Sequence, residues 1–170
     1  MIDFMTQDDH VMVIESPKIN IDASNIVIKE NQELSEIGHI QKIESLEDKI
    51  RSMEPVDMPV TNYFSKGVYA RELFIPKGTV LTGHIHKYVN LNIMSQGDLS
   101  ILTENGVIRV KAPYTVVSPP GTKRLAYAHE DTIWTTIHGT DETDIDKIEY
   151  EFIAHSSEEY KEFCALLLKE

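Results

Sequence analysis

Hydrophobic and polar positions change rhythm twice along this chain. From Asn31 to Met53 the apolar residues Leu34, Ile37, Ile40, Ile43, Leu46, Ile50 and Met53 recur at three- and four-residue steps with no proline, which predicts an amphipathic helix. Only Ile43, Leu46, Ile50 and Met53 keep an a/d spacing, so a long coiled coil is not expected. Two readings of this helix stand: it packs on its own domain, or it joins copies of the chain. Ahead of it, Val11–Ile14 and Ile19–Ile28 lean toward strand without a clear period, as a solvated arm or an added strand. Glu54, Pro55, Val56, Asp57, Met58 and Pro59 then end the helix.

From Val60 the rhythm becomes that of strands. Val68–Ile75, Val80–His86, Val89–Ser95, Asp98–Thr103, Val107–Ala112, Tyr114–Ser118, Arg124–Ala128 and Thr132–Ile137 are β-prone runs. Turn signals at Pro76–Gly78, Gln96–Asp98, Glu104–Gly106 and Pro119–Gly121 separate them. Short strands at this spacing predict a sandwich, barrel or jelly roll. No helical run long enough for a βαβ crossover interrupts them, which argues against a parallel α/β sheet. Beyond Gly139 the helical period returns. Asp144–Ile153 starts with acidic residues, and Ser156–Lys169 starts with a capping box of Ser156 and Glu159. In the second helix Tyr160, Phe163, Cys164 and Leu167 form the stripe expected to be buried, with Cys164 a core thiol rather than a nucleophile. The chain thus divides into an arm and helix at 1–58, a β domain at 59–140 and a helical segment at 141–170.

Composition narrows the function. The 170 residues are 41% hydrophobic, enough for a core. Sixteen basic against 28 acidic residues leave a net charge of −12, which argues against a dedicated nucleic-acid binder. The charge is uneven: residues 1–60 carry −8, residues 61–140 carry +3, and residues 141–170 carry −7. A mildly basic middle in an acidic chain suits a small anionic ligand. No apolar run is long enough to span a membrane, and the acidic start MIDFMTQDDH lacks the pattern of an export signal, so a cytoplasmic location is expected. The single Cys164 excludes an intramolecular disulfide. Neither a phosphate-binding glycine loop nor a nucleophile elbow is present.

The most informative stretch runs from Gly78 to Gly97. His84 and His86 are two apart, so a strand would project both imidazoles to one face, half of a divalent-metal site. The frame Gly-x5-His-x-His-x3-Glu-x6-Gly resembles the first signature of the cupin superfamily, with Gly78, His84, His86 and Gly97 in register and Asn90 in place of the glutamate. Pro113 to Ala128 resembles the second signature, broadly Gly-x5-Pro-x-Gly-x2-His-x3-Asn. Pro119 and Gly121 match, whereas Pro113, Arg124 and Ala128 replace the glycine, histidine and asparagine. With GVYARELFIPKG, GHIHK, PPGTKR and IWTTIHGTDETD, residues 59–155 are similar to a group of small phage-encoded cupins of unassigned activity. The resemblance implies a mainly β, double-stranded β-helix (jelly roll) at the centre, with an arm and helix before it and helices after it.

The departures bear on chemistry. Asn90 is a poor ligand, and Arg124 puts a permanent cation where the resemblance places a histidine. His138 can substitute, because Trp134, Thr136 and His138 alternate along the last strand; His129 falls in a turn. One reading is a single divalent metal (Fe, Zn, Ni or Mn) on His84, His86 and His138; the other is a polar pocket without metal. Asn90 and Asn92 share a face and need hydrogen-bond partners if buried. Tyr69 and Arg71 lie on another strand, in the pocket or at its rim. Arg124 is either an ion-pair partner of Glu72 or Asp131 or a ligand-binding cation, and Trp134 is expected in the core. Three function classes follow. The first is a protein that binds a small polar or anionic metabolite through His84, His86, Asn90, Asn92, Arg124, Tyr69 and Arg71, as a phage-encoded sequestering protein in the host cytoplasm. The second is a metal-dependent oxygenase or isomerase, and the third a virion or assembly component. The replaced ligands favour the first over the second. The arm and helix outside the β domain suit a homo-oligomer, most simply a dimer.

Overall fold

The computed structural model describes residues 38–168 apart from 48, 53 and 104. The β-leaning runs Val11–Ile14 and Ile19–Ile28 and the start of the first helix lie outside the described residues. Helix α1 covers residues 38–47 and 49–50. Ten strands then follow: β1 Val60–Ser65, β2 Val68–Ile75, β3 Val80–Thr82, β4 Ile85–His86, β5 Asn90–Gln96, β6 Asp98–Thr103, β7 Gly106–Lys111, β8 Tyr114–Ser118, β9 Leu125–Ala128 and β10 Thr132–His138. Helix α2 (Ile145–Phe152), the two-residue strand β11 (Ile153–Ala154) and helix α3 (Ser157–Leu167) complete the chain.

The strands form two facing antiparallel sheets, ordered β1-β2-β10-β5-β8 and β3-β9-β6-β7, with a small β11-β4 ladder. The chain crosses between the large sheets from β2 to β3, back by way of β4 to β5, from β5 to β6, and again at β7–β8, β8–β9 and β9–β10. Repeated crossing of this kind winds a double-stranded β-helix. Register makes the inner face legible. Leu73, Trp134 and Met94 lie side by side on β2, β10 and β5, and Arg71, Thr136 and Asn92 form the neighbouring row. The main core is Ile75, Met94, Leu99, Ile101 and Ala128, packed by Leu73, Leu81, Ala126 and Trp134. Each large aliphatic side chain enclosed there contributes about 1.5–3 kcal/mol.

The helices are bound to the barrel by their own clusters. Ile40 of α1 packs with Ile85 and Ala154, and Ile148 and Phe152 of α2 pack with Tyr69. Polar contacts set the α1 seat: Glu44 accepts from the Ser157 backbone N–H and hydroxyl at 2.7 and 2.8 Å. Glu47 pairs with the buried Lys123 at 2.9 Å. Burial alone would raise the Glu47 pKa, but the Thr82 hydroxyl and the Lys123 ammonium outweigh it and hold the carboxyl low. The described part of α1 therefore packs on its own domain, the first of its two readings.

Several expectations need correction. The run Val80–His86 is two strands, because the chain leaves the sheet at Gly83 and His84. Strand β1 is exposed on both faces, so it carries no alternation to announce it. Strand β11 owes its existence to β4, a partner almost seventy residues away. Asp144 and Ser156 cap α2 and α3 as expected. The return arm of the capping box shifts by one residue, since Glu159 accepts from the His155 N–H rather than from that of Ser156. Leu167 is exposed rather than buried, and Cys164 is half-buried.

Two glycines of the Gly78–Gly97 frame differ in what they forbid. Both have positive φ, +84° and +110°, but a Cβ on Gly78 meets open space. On Gly97 it would lie 2.7 Å from the Cα of the fully buried Thr132. Gly97→Ala should cost about 2–5 kcal/mol, strain and overpacking together. Gly78→Ala should cost only about 1 kcal/mol from its backbone conformation. Urea unfolding of the two variants measures the difference, and equal losses would contradict the packing described.

Candidate functional site

The barrel encloses a cavity of about 320 Å³ between the two sheets. Alternation along β2 and β10 grades its wall. Ile75 and Leu73, with Trp134, line the inner part, where Leu81, Leu99, Ile101 and Ala126 face them from the opposite sheet. One and two steps outward on the same strands stand Arg71 and Tyr69, Thr136 and His138. His84, His86 and Arg124 complete the polar end, and α2 reaches it with Ile148, Glu149 and Phe152. The site is thus apolar within and polar at the mouth.

Most expected site residues gather here, in unequal roles. His84, His86, Arg124, Tyr69, Arg71, Asn92 and His138 all line the cavity, whereas Asn90 does not. Asn90 is buried and serves its neighbour: the Asn92 Nδ2 donates to Asn90 Oδ1 at 2.6 Å and to Ser118 Oγ at 2.8 Å. The Asn92 Oδ1 accepts from Thr136 Oγ1 at 2.8 Å and from Trp134 Nε1 at 3.2 Å. An indole N–H can only donate, so this contact fixes which way the Asn92 amide points. Both expected asparagines are thereby spent on the wall. The Tyr69 hydroxyl is spent as well, donating to Asn62 Oδ1 at 2.7 Å. His129 lies elsewhere, 2.7 Å from Ser100 Oγ. Asp131 accepts from the Lys77 N–H, and Glu72 from the Tyr63 hydroxyl. Glu149 and Phe152 were not anticipated at the site; the acidic, amphipathic run of α2 was the available signal.

The imidazoles are electrostatically distinctive. Burial, then His138, His84 and two guanidiniums, pushes His86 down to about 3. Burial pushes His138 down to about 4. Burial, with Arg71 next, also lowers His84. His86 and His138 are therefore neutral at pH 7, and His84 is shifted in the same direction. His138 sits between neighbours, 5.2 Å from His86 at an interplanar angle of 27° and 4.5 Å from Phe152.

The structure gives a shared metal little support. Among the described residues no group of three or more His, Cys, Asp or Glu is arranged to hold an ion. The rings of His86 and His138 stack at an interplanar angle of 27°. Metal ligation through Nε2 also needs Nδ1–H, ordinarily donated to a second group. In both residues Nδ1 is sealed from solvent and has no partner among the described residues. His84, His86 and His138 thus line one cavity, and among the described residues they are not arranged as a three-ligand group.

No protein-family model matches the chain, and no curated protein matches it. Similar solved structures include cupins. A cupin domain from Bordetella pertussis Tohama I is 16% identical, with 52% of this chain and 99% of that one covered and a TM-score of 0.42. A cupin superfamily protein from Desulfitobacterium hafniense DCB-2 is 12% identical over 53% and 84%, with a TM-score of 0.43. Ectoine synthase from P. lautus is 11% identical over 60% and 78%, with a TM-score of 0.47. The strand order and register above define the fold independently of these likenesses.

The depressed imidazoles carry a pH signature. Below the ordinary histidine value of about 6.5 the unfolded chain takes up protons that folded His86 and His138 refuse. Their contribution to stability is complete above pH 6.5 and is lost as the pH falls through about 4 for His138 and about 3 for His86. Each ring should add about 1.4 kcal/mol per pH unit to the slope of unfolding free energy between roughly pH 6 and pH 4. His86→Gln and His138→Gln should each reduce that slope by one proton, as read from denaturant unfolding at several pH values. An unchanged slope in both would mean that the rings titrate normally.

Proposed function

We propose that the protein binds a small organic anion in the barrel cavity and holds it without converting it. The observation that carries this reading is the polarity gradient: an apolar inner wall and a mouth bearing Arg71, Arg124 and three imidazoles whose protonation is disfavoured. Among the described residues no carboxylate lies within ion-pair distance of the Arg71 guanidinium. A guanidinium meets a carboxylate or phosphate through two parallel hydrogen bonds, a geometry an ammonium cannot reproduce. The volume lies at the small end of the usual range for ligand pockets, about 300–1,000 Å³. The Nδ1 atoms of His86 and His138, which meet no second group among the described residues, support binding over metal-dependent turnover.

Sequestration of a host metabolite in the cytoplasm, the role implied by the resemblance to phage-encoded cupins, is the biological form this proposal takes. A homodimer is its expected assembly, supported by Val60, Tyr63, Phe64 and Val68, which expose apolar surface on and beside edge strand β1.

Calorimetry with sodium hexanoate as probe tests the reading. Arg71→Ala should weaken binding about tenfold or more, the scale of a lost charge-assisted pair. Arg71→Lys should recover only part of that loss. Unchanged affinity in both variants, or no heat with any carboxylate or phosphate, would refute it.

A further inference from the structure

The orphaned nitrogens of His86 and His138 say more about the ligand. Both residues line the cavity, yet in each the Nδ1 atom is closed to solvent and bonded to nothing among the described residues. His138 is only 5% exposed. A neutral imidazole has one N–H and one lone pair. Buried N–H groups without a partner are rarer than under-used acceptors, because a stranded donor forfeits its full hydration. The less costly arrangement leaves Nδ1 bare and places the hydrogen on Nε2, the nitrogen through which each ring reaches the cavity.

We propose that His86 and His138 are fixed as Nε2–H tautomers that donate to a carboxylate beside Arg71, and that the ligand is a monocarboxylic acid with a short apolar body. This rests on the anion-binding reading and makes it specific. Two neutral donors and a guanidinium match the acceptor-only oxygens of one carboxylate. Glu149 at the same mouth opposes a second negative charge. Further in, the polar groups of Asn92, Trp134 and Thr136 already bond one another, so the wall offers a hydroxylated body little in exchange for its water. The aliphatic wall instead takes up a tail.

Two-bond ¹H–¹⁵N correlation of the imidazoles in the full-length ¹⁵N-labelled protein tests the tautomers, with His86→Gln and His138→Gln assigning the rings. Both should show the Nε2–H pattern without ligand and keep it on addition of sodium hexanoate, which should move the Nε2 resonances. In calorimetry hexanoate should bind at least tenfold more tightly than inorganic phosphate. His138→Leu should lose about tenfold for hexanoate, and His138→Gln, which retains a donor, should recover part of it. An Nδ1–H proton on either ring, or ligation of added Zn²⁺ through Nε2, overturns the tautomer assignment even if hexanoate binds. Equal affinity for phosphate overturns the monocarboxylate class. Nε2–H tautomers with no anion binding at all overturn the proposed function and the ligand class together, and leave the tautomer assignment standing.

Discussion

The carboxamide of Asn92 is the interaction on which the cavity depends. It uses both donors and both acceptor positions within the protein, joining its own strand β5 to β8 through Ser118 and to β10 through Trp134 and Thr136. Each such bond is worth about 1 kcal/mol net, but a buried polar atom left without one costs about 1–3 kcal/mol. The network is therefore close to all-or-none. It also positions the indole of Trp134 at the boundary between the polar mouth and the apolar interior. A cavity with such a wall can present polar groups at one end without stranding any at the other.

The helices finish the polar end. Helix α2 closes one side with Phe152 against His138, and α1 is held by Glu44 on Ser157 and Glu47 on Lys123. Lys87 adds a third fastening, donating to the Tyr150 carbonyl and pairing with Glu159 at 3.1 Å. None of these charged groups lines the cavity, and each has a protein partner. Arg71 and the three imidazoles do line it. Desolvation does the rest, since a ring that refuses a proton at pH 7 presents dipoles rather than charge.

How much of this was legible in the residues depended on distance along the chain. Strands β2 and β8 and the caps Asp144 and Ser156 announce themselves through local period and local hydrogen bonding. Alternation along one strand was enough to line up Trp134, Thr136 and His138. Partnerships across the chain were not readable. Nothing near Glu44 points to Ser157, 113 residues on. Two asparagines on one face signal buried hydrogen bonding, but not that they satisfy each other and Ser118 rather than a ligand. The His-x-His motif pointed to both rings in one space, which holds although His84 lies outside the strand; the isolation of Nδ1 emerges only once β10 and α2 are packed around them.

Trp134 is the only tryptophan of the chain and lies on the cavity wall, so its fluorescence reports the central claim directly. Titration with sodium hexanoate should produce a saturable change in Trp134 emission, and sodium phosphate at equal ionic strength should produce none. An emission spectrum that responds to neither, or to both alike, would contradict an apolar cavity gated by a carboxylate-binding mouth.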